Sequence, residues 1–374
     1  MFQHKRLNSE ITLFQKIKDL DYILLISILL LSSISMFVMY STDGGEILYH
    51  TKSHFIKLII FFFMMIFVAL LNIKIWHISA YVFYLSIIVL LIWVSFFGIS
   101  VSGSQRWLDL YFIALQPSEL MKIAIILCLA KYFHRLKTEH VNNFVTIFVS
   151  IIIIVVPMIL VLSQPDLGTS ILIALSGLVV LWLGGVKIKY FFYSFIGFLI
   201  SLPFIISFLK PYQKLRILTF LDPDRDPLGA GYQIIQSKIA IGSGGFYGKG
   251  FLKGTQSYLD FLPEKHTDFI FTLFSEEFGF VGSIFLLLIY LIIIIRIVRI
   301  GAISRSSFAK LFCFGFAFAI FIYISVNLFM VLGLLPIVGS PLPIMSYGGS
   351  SMLATMIGFG IVMSAKIHNN QTIA

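Results

Sequence analysis

A few short polar stretches interrupt an otherwise apolar chain, and they hold the groups able to do chemistry. Gly103-Ser104-Gln105-Arg106-Trp107-Leu108 leads into Gln116-Pro117-Ser118-Glu119-Leu120-Met121-Lys122. Pro117 suits the first turn of a helix, where its missing N–H costs nothing. Glu119 and Lys122 then stand i and i+3 on one helical face. That spacing fits two readings: a self-neutralising ion pair that holds a bundle together, or the wall of a polar pocket on a substrate path. Gln164-Pro165-Asp166-Leu167-Gly168-Thr169 has, taken alone, the pattern of a turn and helix cap.

Further along lie Asp222-Pro223-Asp224-Arg225-Asp226-Pro227-Leu228-Gly229, then Tyr232 to Lys238, then the glycine-rich Gly242 to Gly250. The alternating Asp residues suggest a calcium loop, but Pro227 and the missing distal Glu spoil that template. The glycines would let backbone N–H groups approach a phosphate, with Lys238, Lys249 and Lys253 supplying charge. There is no Walker spacing, and a plain flexible loop fits as well. Next comes Phe261-Leu262-Pro263-Glu264-Lys265-His266-Thr267-Asp268-Phe269, followed by Ser275-Glu276-Glu277-Phe278-Gly279. Asp268, beside His266, is placed either to act as a base or to cap the next helix. Finally, Gly339 to Ser351 breaks helical continuity, which a membrane tolerates only against protein or a cavity.

The elements that must position these groups follow from composition. The 374 residues are 59% hydrophobic and 12% charged, with a mean hydropathy of +0.99. Soluble domains carry about 25% charged residues, so a water-soluble fold is excluded. Apolar runs near 20 residues cross a bilayer as helices. The expectation is an all-α integral membrane protein, one polytopic domain over residues 1–374. About ten spans are expected, roughly at 21–40, 54–71, 77–97, 117–134, 145–163, 168–184, 189–208, 270–295, 308–332 and 345–364. One long loop, about 210–269, joins spans seven and eight. The first run is too long for a signal-peptide core and is read as retained. Cys128 and Cys313 lie inside apolar runs, so neither a disulfide framework nor a cysteine metal site is expected.

The net charge of +10 is explained by position rather than by nucleic acid. With the N-terminus inside, inner segments hold Lys5, Arg6, Lys16, Lys18, Lys74, Lys131, Arg135, Lys137, Lys187, Lys189, Arg296, Arg299, Arg305, Lys310 and Lys366, whereas short outer connections hold Lys52 and Arg106. By the positive-inside rule both termini are cytoplasmic, and the long loop and polar stretches face outward.

Taken in order, these segments resemble the SEDS family of cell-wall glycosyltransferases, the RodA and FtsW group, over nearly the whole chain. Gly248-Lys249-Gly250-Phe251, Gly254-Thr255-Gln256-Ser257 and Pro341-Leu342-Pro343 look like the elongation-type RodA branch. The resemblance implies a peptidoglycan glycosyltransferase in the bacterial cytoplasmic membrane that polymerises lipid II, a disaccharide-pentapeptide on undecaprenyl pyrophosphate. It implies Asp268 as the catalytic carboxylate, with Glu119, Lys122 and Asp166 shaping a polar cavity, and a class B penicillin-binding protein as partner. Inverting transfer needs a base at the acceptor hydroxyl and cations at the departing pyrophosphate. Arg106, Lys122, Lys249 and Lys265 are candidates for the latter, and His266 adjoins the base. No cofactor is indicated and no metal ligand is assigned, although a divalent cation is a candidate helper. The competing readings are a lipid II flippase, an FtsW-like division polymerase and a non-enzymatic scaffold. A flippase would need polar groups lining the inner half of the spans, and almost none are present there.

Overall fold

The computed structural model describes residues 12–101, 104–109, 114–208, 211–223, 229–255 and 264–371. After the short α1 (Leu13–Lys18), uninterrupted apolar runs form α2 (Tyr22–Thr42), α3 (Tyr49–Leu70) and α4 (Ile73–Phe97). Polar residues mark the starts. Asp21 accepts from the Leu24 N–H at 2.9 Å and opens α2, and Asn72 does the same at Lys74 for α4. A small antiparallel hairpin follows, β1 (Ile99–Val101) with β2 (Ser104–Asp109), and β3 (Ala114–Leu115) pairs with β2. These strands were not expected, and β2 carries Arg106. Then come α5 (Pro117–His134), α6 (Phe144–Ser163), α7 (Leu167–Leu183), α8 (Ile188–Phe208), α9 (Pro211–Leu221), α10 (Ala230–Gly244), α11 (Ile270–Ile303), α12 (Ser307–Val331) and α13 (Gly349–Ile367).

Among the described residues, α2, α3, α4, α6, α11, α12 and α13 are long and apolar enough to cross a membrane. The shorter α7 and the Ile188–Phe204 part of α8 are also apolar. Each expected span has a helix, and the starts of α3, α4 and α13 are displaced from the expected positions by four or five residues. Large side chains such as Phe63, Phe96, Phe144 and Ile78 stand exposed around the bundle, a belt that only lipid would cover. The chain is a multi-pass membrane protein. In contrast, α5 is buried nearly all round, as expected for a helix at the centre of a bundle. Close packing elsewhere relies on glycine: a Cβ on Gly360 of α13 would stand 2.5 Å from Val68 of α3.

The stretch expected as one loop over 210–269 contains α9 and α10. Ser237 on α10 is fully buried, 2.7 Å from Thr272 Oγ1, and donates to the Val331 carbonyl at 2.7 Å. The glycine-rich run also departs from the phosphate-cradle reading. Helix α11 is broken at Gly279, with φ of +66°, and the run docks into that break. Phe280 N–H and Val281 N–H donate to Gly245 and Phe246 carbonyls, while Lys249 and Gly250 N–H donate to Glu276 and Glu277 carbonyls. Backbone groups freed by the break are thereby satisfied. Gly248 tolerates no side chain there, since a Cβ would fall 2.0 Å from the Glu277 carbonyl oxygen. The Asp224-to-Leu228 portion of the candidate calcium loop lies outside the described residues.

Candidate active site

The first carboxylate sits on the central helix. Pro117 occupies the opening turn of α5 as expected, so Glu119 and Lys122 project from its first two turns. Their side chains meet at 2.8 Å and are 8% and 6% exposed. The Lys122 ammonium also lies 4.2 Å over the Tyr323 ring, a cation–π contact that adds to its solvation. A small recess lined by this pair holds about 20 Å³, room for roughly one water.

The second carboxylate, Asp166, is both cap and cavity wall. One oxygen accepts from the Thr169 N–H at 3.1 Å, opening α7. The other faces Gln116 Nε2 at 3.3 Å and an Arg106 nitrogen at 3.5 Å. Arg106 reaches across from β2 and donates to the carbonyls of Gln164, at 3.1 Å, and Pro165. Gln164 is fixed in turn by donating to the Leu91 carbonyl at 2.9 Å. The guanidinium is thus held in place with its positive charge beside Asp166.

Asp268 comes from the turn that leads into α11. Phe269 stands at the helix N-cap, and Asp268 immediately precedes it. Its turn is pinned from two sides. Asn327 of α12, with no exposed surface, donates to the carbonyls of Asp268 at 2.8 Å and Ser340 at 2.7 Å. Ser346 donates to the Thr267 carbonyl at 2.6 Å, and the Tyr347 N–H donates to the His266 carbonyl at 2.8 Å. The irregular 333–348 segment therefore clasps the 264–269 turn. Gly339, with φ of +69°, passes so close that a Cβ there would lie 3.6 Å from Asp268 Oδ2. Ile344, in the same segment, takes φ of +67°, strain of the kind that persists when surrounding structure over-determines it.

Glu119, Asp166, Asp268 and Arg106 converge on one cavity of about 390 Å³, also lined by Trp107, Gln116, Gln233 and Tyr347. Four separate parts of the chain thus bring four carboxylates, Glu264 of the Asp268 turn among them, and a cation to one space at one end of the bundle. Lys122 lines the recess below it, which shares Glu119 and Pro341 with the cavity. The structure does not bring every candidate there. Lys249 is turned into an ion pair with Glu276 at 2.7 Å and a bond to Thr255 Oγ1 at 2.8 Å, so its charge is matched inside the docked loop. Lys265 and His266 share the Asp268 turn but are absent from the cavity wall; the His266 ring stacks on His50 at 4.0 Å. Gln116, Gln233 and Tyr347 are cavity residues that the sequence quoted without assigning a role. Arg106 would hold an anionic group at the mouth, and Asp268 stands where a hydroxyl proton could be received.

Known proteins resemble this chain in sequence and fold. Residues 17–371 match the family described as "Cell cycle protein", FtsW/RodA/SpoVE. Peptidoglycan glycosyltransferase MrdB of Escherichia coli K12 is 47% identical over 287 residues, covering 76% of this chain and 77% of that one. The Buchnera aphidicola (Schizaphis graminum) probable peptidoglycan glycosyltransferase FtsW is 39% identical over 330 residues, 85% and 92% of the two chains. A solved chain of a peptidoglycan synthase complex superposes with a TM-score of 0.81 at 29% identity, covering 94% and 98%. The Thermus thermophilus rod shape determining protein RodA shares the fold, with a TM-score of 0.71 at 23% identity over 94% and 98%. With a family match over almost its full length and a relative at 47% identity, the chain belongs to the FtsW/RodA/SpoVE family.

Proposed function

We propose that this protein is a peptidoglycan glycosyltransferase of the elongation type, polymerising lipid II into glycan strands with Asp268 as general base. The observation that carries the reading is the single cavity in which Asp268 meets Arg106, Asp166 and Glu119. The E. coli relative at 47% identity bears the name of that activity. In the proposed step the acceptor hydroxyl oxygen attacks C1 of the donor sugar and its proton passes to the Asp268 carboxylate. The C1–O bond to the lipid pyrophosphate breaks with inversion, and the electron pair leaves on the pyrophosphate. Arg106 at the mouth and Lys122 below supply positive charge toward that leaving group. Glu119 and Asp166 keep these two cations oriented.

A class B penicillin-binding protein is the proposed partner, since a solved chain that superposes on this one belongs to a peptidoglycan synthase complex that coordinates polymerisation and crosslinking. Copurification with such a protein, and polymerase activity that rises with its concentration, is the expected result. We read the helices as ten crossings of the cytoplasmic membrane, with both termini inside and the cavity outside. Cysteines at the exposed positions Glu46 and Lys253 are expected to react with a membrane-impermeant thiol reagent in intact cells, and one at Ala302 is not; reversed labelling overturns the orientation. The activity itself is tested by glycan-chain formation from lipid II with purified protein. Chains made at the wild-type rate by Asp268→Asn would remove the base assignment.

A further inference from the structure

Beside the cavity, but outside its wall, three potential ligands from three separate pieces of chain meet. Asp43 lies in the α2–α3 turn, His50 in the first turn of α3, and His266 two residues before Asp268. One ligand atom from each lies within 4.8 Å of the others. We infer that Asp43, His50 and His266 form a binding site for a divalent transition-metal ion of the zinc type.

The geometry distinguishes this cluster from an ordinary surface ion pair. Asp43 is held in advance: its Oδ2 accepts from the Thr51 N–H at 2.8 Å and from Thr51 Oγ1 at 2.6 Å. Its side chain is only 3% exposed. Such outer hydrogen bonds orient a ligating carboxylate and leave its other oxygen to the ion. That oxygen, Oδ1, stands 3.3 Å from His50 Nδ1. Charge-assisted N–H···O bonds are shorter, about 2.7–2.9 Å. Two ligands on one tetrahedral zinc, each at about 2.0–2.1 Å, are spaced about 3.3 Å apart. The His266 ring lies nearly parallel to that of His50, with 4.0 Å between centroids and 17° between planes. Ring lone pairs lie in the ring plane, so one imidazole must tilt out of this stack for both nitrogens to reach one ion. Tyr347 closes one side, edge-on to His50 at 5.3 Å. Two imidazoles and one carboxylate favour zinc-like ions, whereas magnesium and calcium prefer oxygen alone. Three protein ligands leave a fourth position for water.

An ion here would tie the α2–α3 turn to the turn that carries Asp268. Metal binding needs neither substrate nor turnover, so its test is separate from that of the glycosyltransferase reading. Purified, chelator-stripped protein would be titrated calorimetrically with Zn²⁺, and with Mg²⁺ as the contrast. The expected result is one Zn²⁺ per chain, a higher thermal midpoint with Zn²⁺, and no response to Mg²⁺. His50→Gln, which keeps size and polarity, and Asp43→Asn should each weaken Zn²⁺ binding at least about tenfold and abolish the thermal shift. If His50→Gln combined with Asp43→Asn binds Zn²⁺ with wild-type stoichiometry and affinity, the site is elsewhere and the assignment is overturned. Absence of Zn²⁺ binding by the wild type overturns it equally.

Discussion

The two ends of the bundle use the same ingredients to opposite effect. At the cavity end Arg106 faces Asp166, and Lys122 pairs with Glu119. At the other end Asp21, with no exposed surface, is held by Arg296 through two nitrogens at 3.2 and 2.5 Å and by Lys366 at 3.0 Å. Asp21 also caps α2, so α2, α11 and α13 are locked together at one carboxylate. Every lone pair there is spent on protein, and the group lines none of the cavities described above. At the cavity end the charges border open space, and the backbone facing them is broken at the 333–348 segment. A buried ion pair is therefore no mark of a functional site in itself. What marks one is charge arranged around space that protein leaves unfilled.

The widest separation between the two ends is expected from paired Asp→Asn changes. Asp268→Asn keeps shape and removes proton acceptance, so the lipid II polymerisation rate should fall by about two to four orders of magnitude. Its thermal midpoint should stay near that of the wild type. Asp21→Asn should do the reverse. Breaking a buried pair costs about 3–5 kcal/mol, and the partly exposed Arg296 and Lys366 place this case near the lower end. Detergent-solubilised Asp21→Asn protein should melt earlier yet polymerise normally per folded molecule. Equal losses of stability and activity in both variants would erase the distinction.

A finer test asks whether Glu119 and Lys122 behave like the cavity end or like Asp21. Replacing both members of a buried pair by apolar residues is often neutral or stabilising by about 1–4 kcal/mol. The combined Glu119→Leu and Lys122→Met variant should therefore insert and melt like wild type. Its polymerisation should nevertheless drop about tenfold or more, because the cation below the cavity is gone. The swapped pair, Glu119→Lys with Lys122→Glu, should also be inactive. An active swap would make this motif a structural lock of the Asp21 kind.

Much of this contrast was legible in local sequence, and the illegible part has physical reasons. Pro117 at the start of α5, the i,i+3 meeting of Glu119 with Lys122, and Asp166 as a cap are all consequences of helix geometry over a few residues. The apolar runs gave the helices for the same reason. Partners distant in sequence were not legible. Arg106 binds carbonyls 58 and 59 residues away, and Lys249 is claimed by Glu276, 27 residues on. Helix α10 was hidden because its C-terminal glycines read as loop, although Gly244 among them passes close to the α11 backbone. Starting span two at 54 rather than 49 left His50 and Thr51 outside the helix, and with them the pairing to Asp43. Polar residues in the first turn of α3 mask its start to any hydropathy criterion.

The smallest expected effect compares the two ends of one helix, α7. Gly168 sits in its first turn, and a Cβ there would fall 2.3 Å from the Val338 carbonyl oxygen. Gly184 is its C-cap, and a Cβ there would meet the Phe133 ring at 2.7 Å. Neither takes a positive φ, so alanine strains neither backbone directly. The difference lies in what must yield. Phe133 is a side chain and can tilt, although its burial makes even that cost about 1 kcal/mol or more. Val338 presents backbone, so Gly168→Ala must displace the 333–348 segment. That segment carries Gly339 against Asp268 and contributes Pro341 and Tyr347 to the cavity wall. Gly168→Ala is thus expected to lose about 1–3 kcal/mol of stability and also to slow polymerisation severalfold, because a small misplacement of the base is felt in the rate. Gly184→Ala should cost stability alone. Melting curves and single-turnover rates on both variants check this pair, and equal rates would mean that the 333–348 segment yields without disturbing Asp268.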